Sequence, residues 1–494
     1  MGRHAKVVTA PDDLDRRELG YYSTPKLVAD FIAERIFELR PDAKRVFDPC
    51  IGHGELTRPF KARGCHVSGY DIVNMSPAGC DEFQNGDFLE ASIQVDAVPL
   101  FHRPLHCDID AIVANPPYNC HEVDYIRTHK AKLIDRFGKA AVLNMYALFI
   151  RAILDYAPDG CMIGLVTHDS FLTANGHQEL RRYIVSNCTI HNLHLCPTNL
   201  FLDQGADVRT CLLVLEKGRR SAVMQSSKMQ VSNRPATAPE FEKVLRTRSF
   251  QECELRHLLL GDDRDNCEFA IGVPLEVRQL FGGRRLAEIA PCLTGISTGN
   301  DKKYIRLTRS PDFNVPFYKN PASRRFFAKP DGYLCSNYEI VADEVRNFMI
   351  RNKTLMFREG ISCSSMGVQF GATLRPDNTA CGVNPNIIIE DDRKWWLLSY
   401  LNSKLCLYLT RGVVIRSNMI TAGYASRIPV PEMTKKSLSR LAQLGQEGFA
   451  RAKLGRSVQA VTDAIDVTVK SELGLSESTN RLLDQFECDP IRLA

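Results

Sequence analysis

The 494 residues carry 63 Lys and Arg against 58 Asp and Glu, with 44% hydrophobic and 24% charged side chains, a composition that fills packed cores and has room for two domains. No apolar run approaches the ~20 residues that span a bilayer. The opening MGRHAKVVTAPDDLDRRELG lacks the apolar centre of a signal peptide, and Lys6 stands where a myristoylation signal wants Ser or Thr. These features argue against a membrane role and predict a cytoplasmic protein.

From residue 1 to about residue 215, short apolar runs alternate with amphipathic stretches, which predicts βα units and a largely parallel sheet. Arg45-Val46-Phe47 ends at Asp48-Pro49, Cys65 to Tyr70 ends at Asp71, and Ala111 to Ala114 ends at Asn115. In open α/β sheets ligands bind beyond the carboxyl ends of the strands, so these endings should line one crevice. Met145, Leu148, Phe149, Ala152, Ile153 and Tyr156 fall at helical spacing, Pro158-Asp159-Gly160 marks a turn, and Cys161 to Val166 reads as a further strand. The Ser-, Lys-, Arg- and Pro-rich stretch from Lys217 suggests a boundary, so the expected domains are 1–245, 246–433 and a helical segment 434–494. Between Phe281 and Met433 lie 21 Lys and Arg against 13 Asp and Glu, leaving 42 against 45 elsewhere. A basic second half suits a polyanion such as DNA, although so modest an excess also suits a solvated surface. Lys302, Lys303, Arg306 and Arg309 form a basic run that could track phosphates. The 17 cysteines form no CxxC pair, which predicts reduced thiols; the cluster Cys188, His191, His194 and Cys196 has no zinc spacing and lies on a strand that alternates faces, so no metal is expected.

Asp48 to Gly54, with Gly52 and Gly54, is a strand-to-helix turn where a ligand can approach backbone, though such glycines also serve packing. Asp71 follows Asp48 by 23 residues at the end of the next strand, where a carboxylate can accept from both hydroxyls of a ribose. Asp87 could accept from an adenine amino group while Phe88 stacks on the ring. Singly, each Asp reads as a surface or capping residue; in this order they describe an adenosine pocket. Asn115-Pro116-Pro117-Tyr118 puts two residues without N–H donors after a buried strand, an acceptor-rich turn. An aromatic amine is a poor nucleophile because its lone pair is delocalised. If the Asn115 side-chain oxygen and the Pro116 carbonyl accept its hydrogens, the lone pair is freed to attack a sulfonium methyl, with Tyr118 stacking on a base flipped from the duplex.

On these residues the chain resembles the N6-adenine DNA methyltransferases in which the cofactor motifs precede a target-recognition domain. Gly20-Tyr21-Tyr22-Ser23-Thr24-Pro25 resembles the family's N-terminal motif, whose Thr-Pro pair helps hold the methionine end of the cofactor. Asp48 to Gly54 resembles its Gly-turn motif, Asp71 its ribose-binding acid, Asp87-Phe88 its adenine-binding pair and Asn115 to Tyr118 its catalytic tetrapeptide. Val166 to Leu172 resembles the strand and loop that follow. In Asn199 to Thr210, Phe201 matches the second aromatic beside the flipped adenine, with plain core packing as the alternative. Gly295 to Asp301 and Leu397 to Lys404 resemble segments of recognition domains. Cys50-Ile51 and His53 depart from the usual small residues of the Gly-turn.

The resemblance implies a Rossmann-like α/β methyltransferase sheet with helices on both faces, followed by an α+β DNA target-recognition domain. It implies S-adenosyl-L-methionine as cofactor and site-specific methylation of adenine N6 in double-stranded DNA, in a restriction-modification system or as an orphan. A cognate restriction endonuclease would act separately, because no nuclease signature is found. The alternatives are an RNA-adenine or protein-glutamine methyltransferase and an inactive DNA-binding subunit. About 245 residues after the catalytic domain suit the reading of base edges better than the first two, and intact Asp71, Asn115 and Tyr118 argue against the third.

Overall fold

The computed structural model describes residues 21–94, 109–118, 124–138, 144–204, 208–218, 228–261, 266–366, 369–414 and 419–486. The chain divides into two units, Met1–Gly272 and Val273–Ala494.

The apolar runs of the first unit become β1 (Arg45–Asp48), β2 (His66–Asp71), β3 (Glu82–Asn85), β4 (Ala111–Ala114) and β5 (Met162–His168), followed by β6 (Cys188–Leu195), β7 (Thr210–Lys217), β8 (Lys228–Ser232) and β9 (Gln251–Glu254). They form one sheet in the order β3-β2-β1-β4-β5-β7-β6-β8-β9. β1 to β5 are mutually parallel, and β4, buried at all four positions, shows the unbroken apolar run of a central parallel strand. Helices α1 (Lys26–Leu39), α2 (Arg58–Ala62), α3 (Phe88–Gln94), α4 (Asp124–Phe137), α5 (Met145–Tyr156), α6 (Gln178–Asn187) and α7 (Ala238–Thr247) complete the unit. On one face, α1 lies so close to β5 that a Cβ at Gly164 would strike Ile32, and Phe37 meets Phe60 of α2 at 5.3 Å. On the other, Tyr156 of α5 and Phe88 of α3 pack on Phe47 of β1 at 5.3 and 5.8 Å. Each such buried ring contributes ~1.5–3 kcal/mol of transfer free energy. The order reverses between β1 and β4, so the crevice falls beyond their carboxyl ends.

Two features depart from expectation. β7 runs antiparallel between β5 and β6, because among the described residues the β6–β7 connection holds only the short 3-10 turn Leu202–Gln204 and no α-helical crossover that would return the chain to the starting edge. The polar stretch after Lys217 is also no domain boundary: β8 pairs parallel with β6, burying Met229 and Val231, and β9 pairs with β8. The expected break at 245/246 falls inside α7, whose Phe241 and Leu245 are buried, and the first unit runs to Gly272.

The second unit is α+β, with a five-stranded and a four-stranded sheet. Helix Lys435–Lys453 packs on helix Arg393–Leu401, where Ser399 Oγ donates to the Leu441 carbonyl at 2.7 Å and any side chain at Gly445 would strike the Trp395 carbonyl. Residues 434–486 are therefore part of this unit's core rather than a separate segment. Among the described residues no helix is long and apolar enough to cross a membrane.

Candidate active site

The crevice is built where three strand ends and the segment before α1 converge. Gly52 (φ +54°) and Gly54 (φ +79°) take left-handed conformations that L side chains disfavour, which lets the chain turn sharply after β1. A Cβ on Gly52 would come within 2.6 Å of the Tyr21 ring, so Tyr21 covers the turn. Its hydroxyl and that of Ser23 both donate to Glu55 Oε1, at 2.6 and 2.7 Å. Gln204 grips the Ser23 backbone from both sides: Ser23 N donates to its Oε1 at 2.7 Å, and its Nε2 donates to the Ser23 carbonyl at 2.8 Å.

Asp71, at the end of β2, accepts from the backbone N–H groups of Gly52 (2.9 Å) and Val73 (3.0 Å), and burial raises its pKa. Asp48, at the end of β1, is buried and accepts from Cys50 N at 3.0 Å. Burial above all, against the stabilising Cys50 N–H and with added repulsion from Asp71 and Glu55, pushes its pKa up to about 8. Three carboxylates thus converge on the Gly-turn.

Asp87 and Phe88 sit differently from the adenine-binding expectation. Asp87 Oδ1 caps α3, accepting from Leu89 N (2.8 Å) and Glu90 N (3.3 Å). Phe88, 2% exposed, is embedded among the rings of Phe47, Tyr70, Phe149 and Tyr156. This corrects the stacking role: helix α3 turns Phe88 into the sheet core, and it presents no open face.

At the end of β4, Asn115 is tied down on two sides. Its Nδ2 donates to the Tyr22 carbonyl at 2.8 Å and to Thr24 Oγ1 at 3.0 Å. The amide oxygen Oδ1 accepts from the Tyr118 hydroxyl. Pro116 is buried beside it. Tyr118 stacks on Tyr22 (5.7 Å between centroids, 15° between planes), and Phe201, fully buried, lies 6.1 Å from each ring. His168 closes this aromatic group edge-on to Tyr118 at 6.5 Å and itself stacks on Tyr146, whose hydroxyl meets His177 Nε2 at 2.8 Å. Burial lowers the pKa of both imidazoles, that of His177 to about 4. Thr24 is buried, and Pro25 is the N-cap residue of α1.

The structure therefore brings Thr24, Asp48, Gly52, Gly54, Asp71, Asn115, Pro116, Tyr118 and Phe201 to one crevice. Tyr22, Glu55 and Gln204 escaped the sequence reading, although Glu55 directly follows Gly54 and Gln204 lies three residues after Phe201. The cysteine-histidine cluster disperses: His191 faces Glu216 at 3.2 Å while His194 meets Ser232 at 3.0 Å. In the second unit Lys302, Lys303, Arg306 and Arg309 are all exposed, with Arg306 over the Phe313 ring at 4.7 Å.

A mixed sheet whose parallel strands reverse order at β1/β4, acids at the ends of β1 and β2, and an Asn-Pro-Pro-Tyr turn after β4 define a Rossmann-like methyltransferase fold. More particularly, residues 89–276 match the family model described as N-6 DNA Methylase. The Type II methyltransferase M.BanIII of Aneurinibacillus aneurinilyticus is 26% identical over 220 residues, 38% of this chain and 37% of that protein. Among solved structures, the Type IIL restriction-modification enzyme MmeI in complex with DNA matches with a TM-score of 0.63 at 11% identity, covering 97% of this chain and 79% of that one. A nuclease-deletion mutant of the Type ISP restriction-modification enzyme LlaGI matches with a TM-score of 0.58 at 13% identity, covering 89% and 55%. The chain thus spans little more than a third of the curated relative and about half of LlaGI.

Proposed function

We propose that the protein is a site-specific DNA methyltransferase that transfers a methyl group to adenine N6 in double-stranded DNA, as a modification enzyme of a restriction-modification system. The observation that carries this reading is the Asn115 amide: its nitrogen is held by Tyr22 and Thr24, so its oxygen faces the Tyr118 side as an acceptor. With the Pro116 carbonyl, that oxygen can take both hydrogens of an exocyclic amine and localise its lone pair. Tyr118 then leaves Asn115 and stacks on the base, and Phe201 backs the same pocket.

The residues present fit S-adenosyl-L-methionine. Three convergent carboxylates with Asp48 raised to about 8 form a site short of positive charge, suited to a sulfonium and an ammonium, and the Gly-turn admits close backbone contact. Asp71 would hold the ribose hydroxyls; Asp48, Gly52 and Gly54 would flank the cofactor, with Thr24-Pro25 and Asp87 beside them. When bound, the cofactor supplies an electrophilic methyl group. DNA as the substrate is supported by the methylase family match, by the DNA-bound MmeI neighbour, and by exposed cations in an α+β second unit. A separate restriction endonuclease as partner extends the same reading.

The test incubates the purified protein with labelled S-adenosylmethionine and duplex DNA, RNA or a protein extract. Label on adenine N6 of duplex DNA alone supports the reading; label only on RNA adenine or protein glutamine, or no transfer at all, replaces it. Asn115→Ala abolishes transfer while leaving cofactor affinity nearly intact, and magnesium-dependent cutting of unmethylated DNA would contradict methylation without cleavage.

A further inference from the structure

We infer that Thr24 is a positioning residue for Asn115: the Tyr22 carbonyl fixes which end of the Asn115 amide faces the target amine, and the Thr24 hydroxyl, accepting the second Nδ2 hydrogen, holds the amide in that place. An asparagine amide is nearly symmetric in shape, and its oxygen and nitrogen exchange places on a half-turn about χ2. Only the oxygen is useful toward an amine whose hydrogens must be accepted. Here the two hydrogens of Nδ2 have two acceptors, the Tyr22 carbonyl at 2.8 Å and Thr24 Oγ1 at 3.0 Å. The flipped amide would set its oxygen against the Tyr22 carbonyl, oxygen to oxygen, and aim a donor at a donor.

The segment that carries these acceptors is itself immobilised. Ser23 is gripped by Gln204 through its N–H and its carbonyl and by Glu55 through its hydroxyl. Thr24 precedes a proline, which confines it to extended backbone, and the Pro25 carbonyl receives Val28 N and Ala29 N at 2.9 and 3.1 Å as α1 begins. Thr24 is 6% exposed, so water does not readily replace its hydroxyl. A contact spanning 91 residues thereby joins the Thr-Pro segment to the reacting turn.

The inference rests on the methyltransferase reading, and its test separates the two. Thr24→Val keeps the shape and removes the acceptor; Thr24→Ser keeps the acceptor. Three quantities are measured: steady-state methylation of duplex DNA, equilibrium binding of S-adenosylhomocysteine, and hydrogen exchange of the Asn115 side-chain amide in selectively labelled protein. In Thr24→Val, kcat falls about ten- to a hundred-fold with cofactor affinity unchanged, and the Asn115 amide exchanges at least about ten-fold faster. Thr24→Ser stays within about three-fold of the parent in all three. Unchanged kcat and exchange in Thr24→Val, a loss confined to cofactor binding, or equal damage from Val and Ser each overturn the assignment. If the parent methylates no DNA, the exchange measurement still decides the orientation while the proposed activity falls.

Discussion

Tyr118 closes its own site, and the cost of opening it can be worked from its contacts. Its hydroxyl donates to Asn115 Oδ1, the atom that must accept the target amine, and its ring stacks on Tyr22. Burial raises its pKa well above the ordinary tyrosine value, so it stays a neutral donor. Breaking one such hydrogen bond costs ~0.5–1.5 kcal/mol net, and separating the rings a similar amount. Tyr118→Phe removes the first cost and keeps the stacking surface. We expect kcat/KM for duplex DNA to rise about two- to twelve-fold, with kcat little changed. Tyr118→Ala also removes base stacking, worth ~1–3 kcal/mol, while saving the ~0.5–1.5 kcal/mol of ring separation, so its kcat/KM falls about two- to twelve-fold below that of Tyr118→Phe. Single-turnover methylation with enzyme in excess, alongside fluorescence of 2-aminopurine at the target position, reads both effects. If Tyr118→Phe loses as much as Tyr118→Ala, the hydroxyl takes part in the reaction and the closed-site reasoning is wrong.

Other consequences follow from burial, backbone and charge. Because the pKa of Asp48 is raised to about 8, the folded chain holds a proton that the unfolded chain, titrating near ~3.9, has released. That stabilising contribution is complete below about pH 4 and is lost as pH climbs through about 8, so calorimetry of Asp48→Asn should show a flatter fall in Tm between about pH 5 and 9 than the parent shows; parallel profiles would refute it. Gly52→Ala forces an L residue to φ +54° against the Tyr21 ring. It should cost ~1–2 kcal/mol of stability or more, read as a lowered urea midpoint, and an unchanged midpoint would show that the turn relaxes freely. Replacing Lys302, Lys303, Arg306 and Arg309 with Ala should reduce the salt dependence of DNA binding by about 0.9 in log-log slope for each phosphate that is no longer neutralised; an unaltered slope would make them merely solvated cations.

The strand ends were legible because each apolar run stops at a polar residue followed by turn chemistry, and Asp48, Asp71 and Asn115 do stand at the carboxyl ends of β1, β2 and β4. The antiparallel β7 was not, since a buried strand reads the same in either direction. Nor was the membership of β8 and β9: they are short, carry charged residues and lie at the sheet edge, so their composition is that of a linker. Phe88 was misread because proximity to a binding acid does not say which face of a helix turns to the core. The partners of Asn115 lie 91 and 93 residues away, beyond any local pattern.

These distant partners change what the Asn-Pro-Pro-Tyr turn can be said to do. The turn supplies an acceptor, but an asparagine alone offers a donor as readily. Direction comes from the segment before α1, which occupies the amide nitrogen, and that segment is braced on the Gly-turn through Glu55. The same Gly-turn gathers Asp48, Asp71 and Glu55, and Glu55 in turn fixes Ser23, one residue from Thr24. Acid cluster and acceptor are therefore mechanically joined through Ser23. A change at Glu55 should disturb both the electrostatics of the Gly-turn and the orientation of the Asn115 amide, whereas a change at Thr24 reaches only the second.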